Sequence, residues 1–226
     1  MTLTVTASKN QRKQVTTDRS SVDSLTVGFY DKSNKCQVPT SKLHHILSLD
    51  TVNLTITVEP LVSVQEAADF LVPRGYILAS HLEYGRATLG GLAMAVGMTT
   101  HAHITGLFQE TVEAYEVVLA TGERLTATAS NEHSDLFFAL PWSHGTLCTL
   151  VSLTLKVLPC KPYVRLKYLP VTGLENIAAS IRAQSGALDP AQKGVPAFVE
   201  ATLFSLDKAV LTVTSIPEFH SLHSKP

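Results

Sequence analysis

The stretch HLEYGRATLGGLAMAVGMTTHAHITGLFQ, residues 81–109, places five glycines among small and apolar side chains. Its paired glycines, Gly90 and Gly91, let a backbone approach a ligand closely, and the small residues after them favour a short helix. Amide groups at the start of a helix attract a pyrophosphate. Further hydroxyl groups come from Thr88, Thr99 and Thr100. The same pattern fits a tight turn with close helix packing, and the spacing matches neither GxGxxG nor a P-loop, so both interpretations stay open.

Upstream of this stretch the pattern is strand, helix, strand. Alternating β-branched residues predict strands at 25–30 and 51–60. Ser63 and Glu66 form a capping box that opens a helix, which Gly75 is placed to end. Residues 76–80 read as the next strand. This order indicates an α+β or α/β layer arrangement.

Downstream, residues 112–129 read as a hairpin that turns at Thr121 and Gly122. A short helix is predicted at 134–140 with Ser134 as N-cap. A long strand follows at 147–159, whose alternation sets one apolar face against a polar one. The apolar face is formed by Leu153, Leu155 and Val157.

Pro159 and Pro162 mark a predicted domain boundary. Beyond it, the sequence predicts a strand, helix, strand, strand unit. Its parts are an alternating segment at 163–170, a helix from a capping box at Thr172 and Glu175 to about Arg182, and strands at 198–204 and 209–215. We therefore expect a poorly ordered lead at 1–24, a main domain at 25–160 and part of a second domain at 161–226.

Composition excludes several classes of function. Of the 226 residues, 45% are hydrophobic and 16% charged, against about 25% charged in ordinary domains. A net charge of -1 disfavours nucleic-acid binding. Three cysteines without a CxxC pair indicate neither a disulfide framework nor a zinc site. The sequence has no secretory signal, and its longest apolar run, 90–98, is shorter than the about 18 residues that cross a bilayer.

Four segments carry a resemblance to a known family. They are LSLDTVNLTITVEPLVSV, TLGGLAMAVGM, HITGLFQETVEAYEVVLATGE and NEHSDLFFALPWSHGTL. In this order they resemble the flavin-binding half of the delta(24)-sterol reductases, the Diminuto/seladin group, within the vanillyl-alcohol-oxidase or PCMH-type FAD-binding superfamily. The resemblance runs from about Arg19 to about Thr214. It implies a PCMH-type FAD-binding domain of two α/β subdomains, followed by the incomplete start of an α+β substrate or cap domain.

The resemblance also implies the cofactor and its site. FAD would be bound non-covalently, with its pyrophosphate against Gly90 and Gly91. The implied contacts are Thr88, Leu89, Gly90, Gly91, Leu92, Ala93, Met94, Ala95, Val96, Gly97, Met98, Thr99 and Thr100. From their side chains, Leu89, Leu92, Met94 and Met98 are expected to face the core.

The family reaction reduces the double bond in the side chain of a sterol-like substrate, with hydride from NADPH through FAD. Because the cofactor carries this chemistry, no catalytic side chain and no metal are predicted. The resemblance implies the cytoplasmic face of the endoplasmic reticulum, with membrane association through parts absent from this chain. It leaves the oligomeric state open.

Departures from the family pattern support an alternative. Gly85 and Arg86 stand where relatives usually carry two aspartates, and Ala95 replaces a glycine. Near the N-terminus, Arg19 and Ser20 suit a phosphate, whereas Asp18 would repel one. Family members also continue further, so we expect a fragment or a reduced paralogue with weak or no sterol turnover. The alternative is a catalytically inactive flavin-binding or interaction module.

Three other features have two interpretations each. His101 and His103 could ligate a metal. On an extended loop their side chains would point to opposite faces, so structural polar contacts are favoured. His103 is also kept as a residue expected near the flavin. Trp142 either contributes to a turn against the flavin, with Ser143, Gly145 and Thr146, or fills the core. Glu113 and Glu116, three apart on a strand, favour structural roles over acid–base work.

Overall fold

The computed structural model describes residues 14–18, 31–187 and 194–215. Within them lie a six-stranded antiparallel sheet, a three-stranded antiparallel sheet and one short parallel pair of strands. Helices connect the strands, which confirms the α+β class. The strand predicted at 25–30 lies outside the described residues.

The parallel pair consists of β1 (Val15–Thr17) and β2 (Cys36–Val38). β1 falls in the lead for which the polar composition predicted poor order, and that expectation is wrong at these three residues. The reason is pairing with a distant segment: Cys36 N–H donates to the Gln14 carbonyl at 2.9 Å, and Asp18 N–H to the Val38 carbonyl at 3.0 Å. The composition of a short segment does not indicate whether a distant strand will pair with it.

The six-stranded sheet carries the main core. Its strands are β3 (Ile46–Asp50), β4 (Thr55–Val58), β5 (Tyr76–Leu78), β6 (Val112–Leu119), β7 (Arg124–Thr128) and β8 (Cys148–Pro159). Their order is β3-β4-β8-β6-β7, with β5 beside the end of β8. β8 is the long strand expected at 147–159, and its predicted apolar face is buried. The hairpin β6–β7 turns at Gly122, whose φ is +88°.

Helices lie between these strands. They are α1 (Val64–Leu71), α2 (Leu89–Met94), α3 (Ala102–Thr105) and α4 (Ser134–Ala139). The capping box at Ser63 and Glu66 is confirmed, and after a 3-10 turn the chain passes through Gly75 at φ +83°. The N-cap of α4 is His133, one residue before the predicted Ser134, because the Asn131 side chain accepts the His133 N–H at 3.1 Å and starts the turn early.

The second sheet contains the expected strand, helix, strand, strand unit. Its elements are β9 (Arg165–Thr172), α5 (Leu174–Gln184), β10 (Phe198–Ser205) and β11 (Lys208–Ser215), with strand order β10-β11-β9. The capping box predicted at Thr172 and Glu175 is wrong. Thr172 pairs with Lys208 at the end of β9, so Gly173 is the N-cap residue instead. The domain boundary near residue 160 remains a prediction.

The strand predicted at 51–60 is shorter than expected. Only Thr55–Val58 is extended, and residues 51–54 form the turn that connects β3 to β4. The Asp50 carboxylate makes this turn, accepting the N–H groups of Val52 and Asn53, both at 2.9 Å. An aspartate that bonds the backbone two and three residues ahead stops the strand despite the alternating pattern.

Candidate functional site

The paired glycines lie within the first turn of α2 and not ahead of it. Thr88 is the extended N-cap residue, and its side chain makes no capping hydrogen bond. Leu89 N–H donates to the Val62 carbonyl at 2.8 Å, and Gly90 N–H donates to the Pro60 carbonyl at 2.9 Å. The first two amides of α2 are therefore satisfied by the segment that follows β4.

Gly90 has a packing role. A Cβ atom on this residue would lie 2.5 Å from Pro60 Cβ and 2.8 Å from the Pro60 carbonyl oxygen, too close for any side chain. Close helix packing, one of the two interpretations of the glycine pair, thus explains Gly90. Gly91 is exposed on the other side of the turn, where a ligand can reach the backbone.

The loop after α2 is fastened to the GLFQ segment, residues 106–109. Phe108 N–H donates to the Gly97 carbonyl at 2.7 Å, and Gly97 N–H to Gln109 Oε1 at 3.4 Å. A Cβ on Gly97 would meet Phe108 Cβ at 2.5 Å. This glycine is required for close approach of two protein segments, and the contact holds the start of the loop.

The thirteen predicted contacts divide by exposure. Buried members are Leu89, Gly90, Leu92, Ala93, Met94, Gly97 and Thr99; exposed or half-buried members are Thr88, Gly91, Ala95, Val96, Met98 and Thr100. Three of the four residues expected in the core are buried. Met98 is 69% exposed, so its predicted orientation is wrong. α2 ends at Met94 with Ala95 as its C-cap residue, so Met98 lies in the loop beyond the helix that is packed in the core.

The turn at 141–146 lies beside the C-terminal end of α2. His144 N–H donates to the Met94 carbonyl at 2.8 Å. Trp142 and His144 have φ values of +67° and +50°, a region that residues other than glycine adopt rarely. Trp142 is 56% exposed, so the core-filling interpretation is wrong. Its indole therefore forms part of the protein surface, in the turn that bonds to the end of α2.

His101 and His103 contact the second sheet. They flank the start of α3, with ring centroids 6.2 Å apart, and do not lie on an extended loop as expected. His101 Nδ1 hydrogen-bonds to the Ala197 carbonyl, and His103 Nε2 to the Pro196 carbonyl at 2.9 Å. Each histidine thus makes a structural polar contact. No cluster of three or more His, Cys, Asp or Glu in the described ranges could hold a metal.

Other titratable groups make structural contacts. Glu113 pairs with Lys156 at 2.8 Å, and Glu116 pairs with Arg124 and accepts a 2.8 Å hydrogen bond from Ser152 Oγ. Neither glutamate is placed for acid–base chemistry. Burial raises the pKa of the Cys148 thiol to about 11, so it is protonated at neutral pH.

Asp18 has a structural partner. Its carboxylate accepts hydrogen bonds from Thr40 N–H at 2.8 Å and Thr40 Oγ1 at 2.9 Å. Burial raises the pKa of Asp18, but the hydrogen bonds to its carboxylate, those from Thr40 foremost, together lower it by more, so the pKa is below its ordinary value. Arg19 and Ser20, the predicted phosphate contacts beside it, lie outside the described residues.

The sequence did not indicate which distant carbonyl groups meet this site. Pro60 and Val62 accept the first amides of α2, and Pro196 and Ala197 accept from the two histidines. Two features signalled these contacts indirectly: a proline before a capping box, and a glycine pair that requires a close neighbour. His144 was also missed, although it lies within the turn predicted to contact the flavin.

In the part of the protein that the structure describes, every helix is too short or too polar to cross a bilayer.

Comparisons with known proteins identify the family of this chain. The FAD binding domain family matches residues 4–128. The chain is 42% identical over 188 residues to Delta(24)-sterol reductase of Homo sapiens, covering 83% of this chain and 35% of that protein. It is 37% identical over 185 residues to Delta(24)-sterol reductase of Arabidopsis thaliana, covering 81% and 33%.

A more distant relative has a different name. D-lactate dehydrogenase of Anaerostipes hadrus is 27% identical over 176 residues, covering 76% of this chain and 37% of that protein. The chain spans about a third of the length of the sterol reductases it matches. The family match covers more than half of the sequence, including β1 to β7 and the whole glycine-rich stretch. The chain belongs to the FAD binding domain family.

Proposed function

We propose that this chain binds FAD non-covalently and acts in the NADPH-dependent reduction of a double bond in a sterol side chain. The observation that carries the proposal is the outward-facing surface around α2. There, Gly91, Val96 and Met98 are exposed, and the turn at 141–146, which carries the exposed Trp142, is joined to the end of α2 by the hydrogen bond from His144 N–H to the Met94 carbonyl. The family match and the sterol reductase relatives support the cofactor and the reaction class.

The residues present fit a flavin. An isoalloxazine ring is flat and has an apolar dimethylbenzene end, to which Val96, Met98 and Trp142 offer exposed apolar side chains. A pyrophosphate needs close backbone approach and hydroxyl donors, for which we assign exposed Gly91 and half-buried Thr100. Gly90 is excluded from direct contact, because its amide donates to Pro60 and its Cα lies against that residue.

The buried members of the predicted contact set support this surface. Leu89, Leu92 and Met94 anchor α2 in the core of the six-stranded sheet, so the exposed side of the helix is held rigidly. Gly97 ties the following loop to Phe108. Preorganised positions of this kind lower the cost of orienting a bound group.

Bound FAD supplies the hydride chemistry. The protein's own residues bind the ring, orient one edge of it, and exclude water through the apolar side chains of the loop and turn. A sterol is apolar, and its side chain would meet the same surface. From the family resemblance alone, we also propose NADPH as the hydride donor and the cytoplasmic face of the endoplasmic reticulum as the location of this reaction.

The alternative is a catalytically inactive flavin-binding module. Gly85 favours it, because Gln65 N–H donates to the Gly85 carbonyl at 2.9 Å and a Cβ on Gly85 would lie 3.1 Å from Gln65 Oε1. A side chain at this position would require Gln65 to shift by a few tenths of an ångström, so the contact with Gln65 suits the glycine that departs from the family pattern.

One experiment separates the two. The purified protein is reconstituted with FAD, dialysed, and mixed anaerobically with NADPH and then with a sterol whose side chain has a double bond. The proposed function predicts reduction of the bound flavin by NADPH, followed by weak or no formation of reduced sterol. Retained FAD that NADPH leaves oxidised would contradict the reductase and support the alternative. Arg86→Asp, which restores an acidic residue at an exposed position, is the matched variant.

A further inference from the structure

Three hydrogen bonds join the glycine segment, residues 88–100, and α3 to the start of β10. Val199 N–H donates to the Thr100 carbonyl at 3.0 Å. The His101 ring bonds the carbonyl of Ala197, and the His103 ring bonds that of Pro196. These contacts link a loop of the six-stranded sheet to the three-stranded sheet. They join residues 100–103 to residues 196–199.

Each imidazole has a fixed role in this contact. A carbonyl oxygen only accepts, so His101 must carry a proton on Nδ1 and His103 a proton on Nε2. His101 is 8% exposed, and its ring lies 4.9 Å, centroid to centroid, from the ring of Phe198 in β10. The histidines therefore position the two segments relative to each other.

The other end of the same loop is anchored to the main domain. Gly97 is held by Phe108 through the 2.7 Å hydrogen bond. Only Met98 and Thr99 separate this anchor from Thr100, the first residue bound to β10. Any ligand that contacts exposed Met98 or half-buried Thr100 touches a short bridge fixed at both ends.

We infer that His101 and His103 couple occupancy of the glycine segment to the docking of β10. A ligand that contacts residues 98–100 stabilises the arrangement in which this segment bonds to Pro196, Ala197 and Val199, and these contacts in turn hold the segment in position for the ligand. The coupling is reciprocal. This inference rests on the proposed binding of FAD. It adds that the second sheet, through β10, responds to the bound cofactor.

Hydrogen–deuterium exchange with and without saturating FAD tests this coupling. Peptides from 89–100 report cofactor contact, and peptides from 198–205, which include the Val199 amide, report docking of β10. In the unmodified protein, FAD is expected to slow exchange in both. In the double variant His101→Phe and His103→Phe, FAD is expected to slow only 89–100, with a Kd raised about fivefold or more.

Three further variants separate coupling from damage to the fold. His103→Phe alone removes one contact and is used if the double variant unfolds. His103→Gln places an amide N–H near the position of Nε2, and should restore protection of 198–205. His44→Phe is the matched control, because His44 Nδ1 also bonds a carbonyl, that of Ser41 at 3.0 Å, but within a single loop.

The outcomes are distinct. FAD protection confined to 89–100 in the unmodified protein would overturn the coupling and leave the proposed cofactor intact. Full protection of 198–205 in the phenylalanine variants would also overturn it. An absence of FAD protection in both segments would overturn the proposed cofactor and the coupling together.

Discussion

At the residue scale, two adjacent glycines have different roles. Gly90 faces Pro60 so closely that even a methyl group does not fit, while Gly91 is exposed on the outward side of the same helical turn. A glycine pair in a sequence indicates close approach but does not say to what. Here one glycine serves packing between α2 and the segment after β4, and the other is the one we assign to the cofactor.

Alanine at each position separates these roles. Gly90→Ala should lower the free energy of unfolding by about 1–3 kcal/mol, because the new Cβ overlaps Pro60 and the backbone must shift. Gly91→Ala should leave it unchanged or raise it by up to about 1 kcal/mol, since alanine favours a helix, and should weaken FAD binding. Thermal melts and FAD titrations of both variants check this. Equal destabilisation by the two changes would contradict the assignment.

At the scale of the element, local sequence signals predicted a cap and a turn correctly, but they did not predict the distant segments with which the elements pair. The capping box at Ser63 and the turn at Gly122 were correct because all atoms involved are within four residues. Thr172 carries the same cap signal, yet pairing with Lys208 keeps it in a strand. The site was predictable to the same extent: the segment 88–100 was identified, but its contacts with residues beyond 190 were not.

The cap of α1 offers a test with a pH dependence. Ser63→Ala removes the 3.2 Å hydrogen bond from Glu66 N–H to Ser63 Oγ and the 2.7 Å bond from Ser63 Oγ to Glu66 Oε2. Such a change costs about 1 kcal/mol. Hydrogen bonds from the Ser63 backbone and side chain lower the pKa of Glu66 below its ordinary 4.5. The stabilisation is therefore present above its ordinary pKa and is lost as the pH falls through the lowered pKa.

Chemical denaturation at pH 7 and at about pH 3, below the ordinary range of a glutamate, measures this effect. The difference between the unmodified protein and Ser63→Ala should shrink at the lower pH. Ser48→Ala, at an exposed position in β3, is the control and should change stability little at either pH. A difference that grows on acidification would show that the Glu66 carboxylate does not take part in the cap.

At the scale of the whole molecule, the FAD site that we propose lies where several separate parts of the sequence meet. α2 and its loop are held by the segment after β4 and by the GLFQ segment, and the turn at 141–146 bonds to Met94. β10 bonds to Thr100, and the two residues before β10 bond to the histidines. Local sequence patterns identify each of these parts, but they do not indicate that the parts come together in the fold. The exposed apolar side chains that remain, Met98 and Trp142 foremost, mark the surface that we assign to the flavin.

Trp142 is the only tryptophan in the sequence, so its fluorescence reports this surface directly. The account predicts that titration with FAD quenches the Trp142 emission in a saturable way, with a midpoint equal to the Kd measured by equilibrium dialysis. Gly91→Ala should shift both midpoints together. An absence of saturable binding, or binding by dialysis that leaves the Trp142 emission unchanged, would contradict a flavin site between α2 and the turn at 141–146.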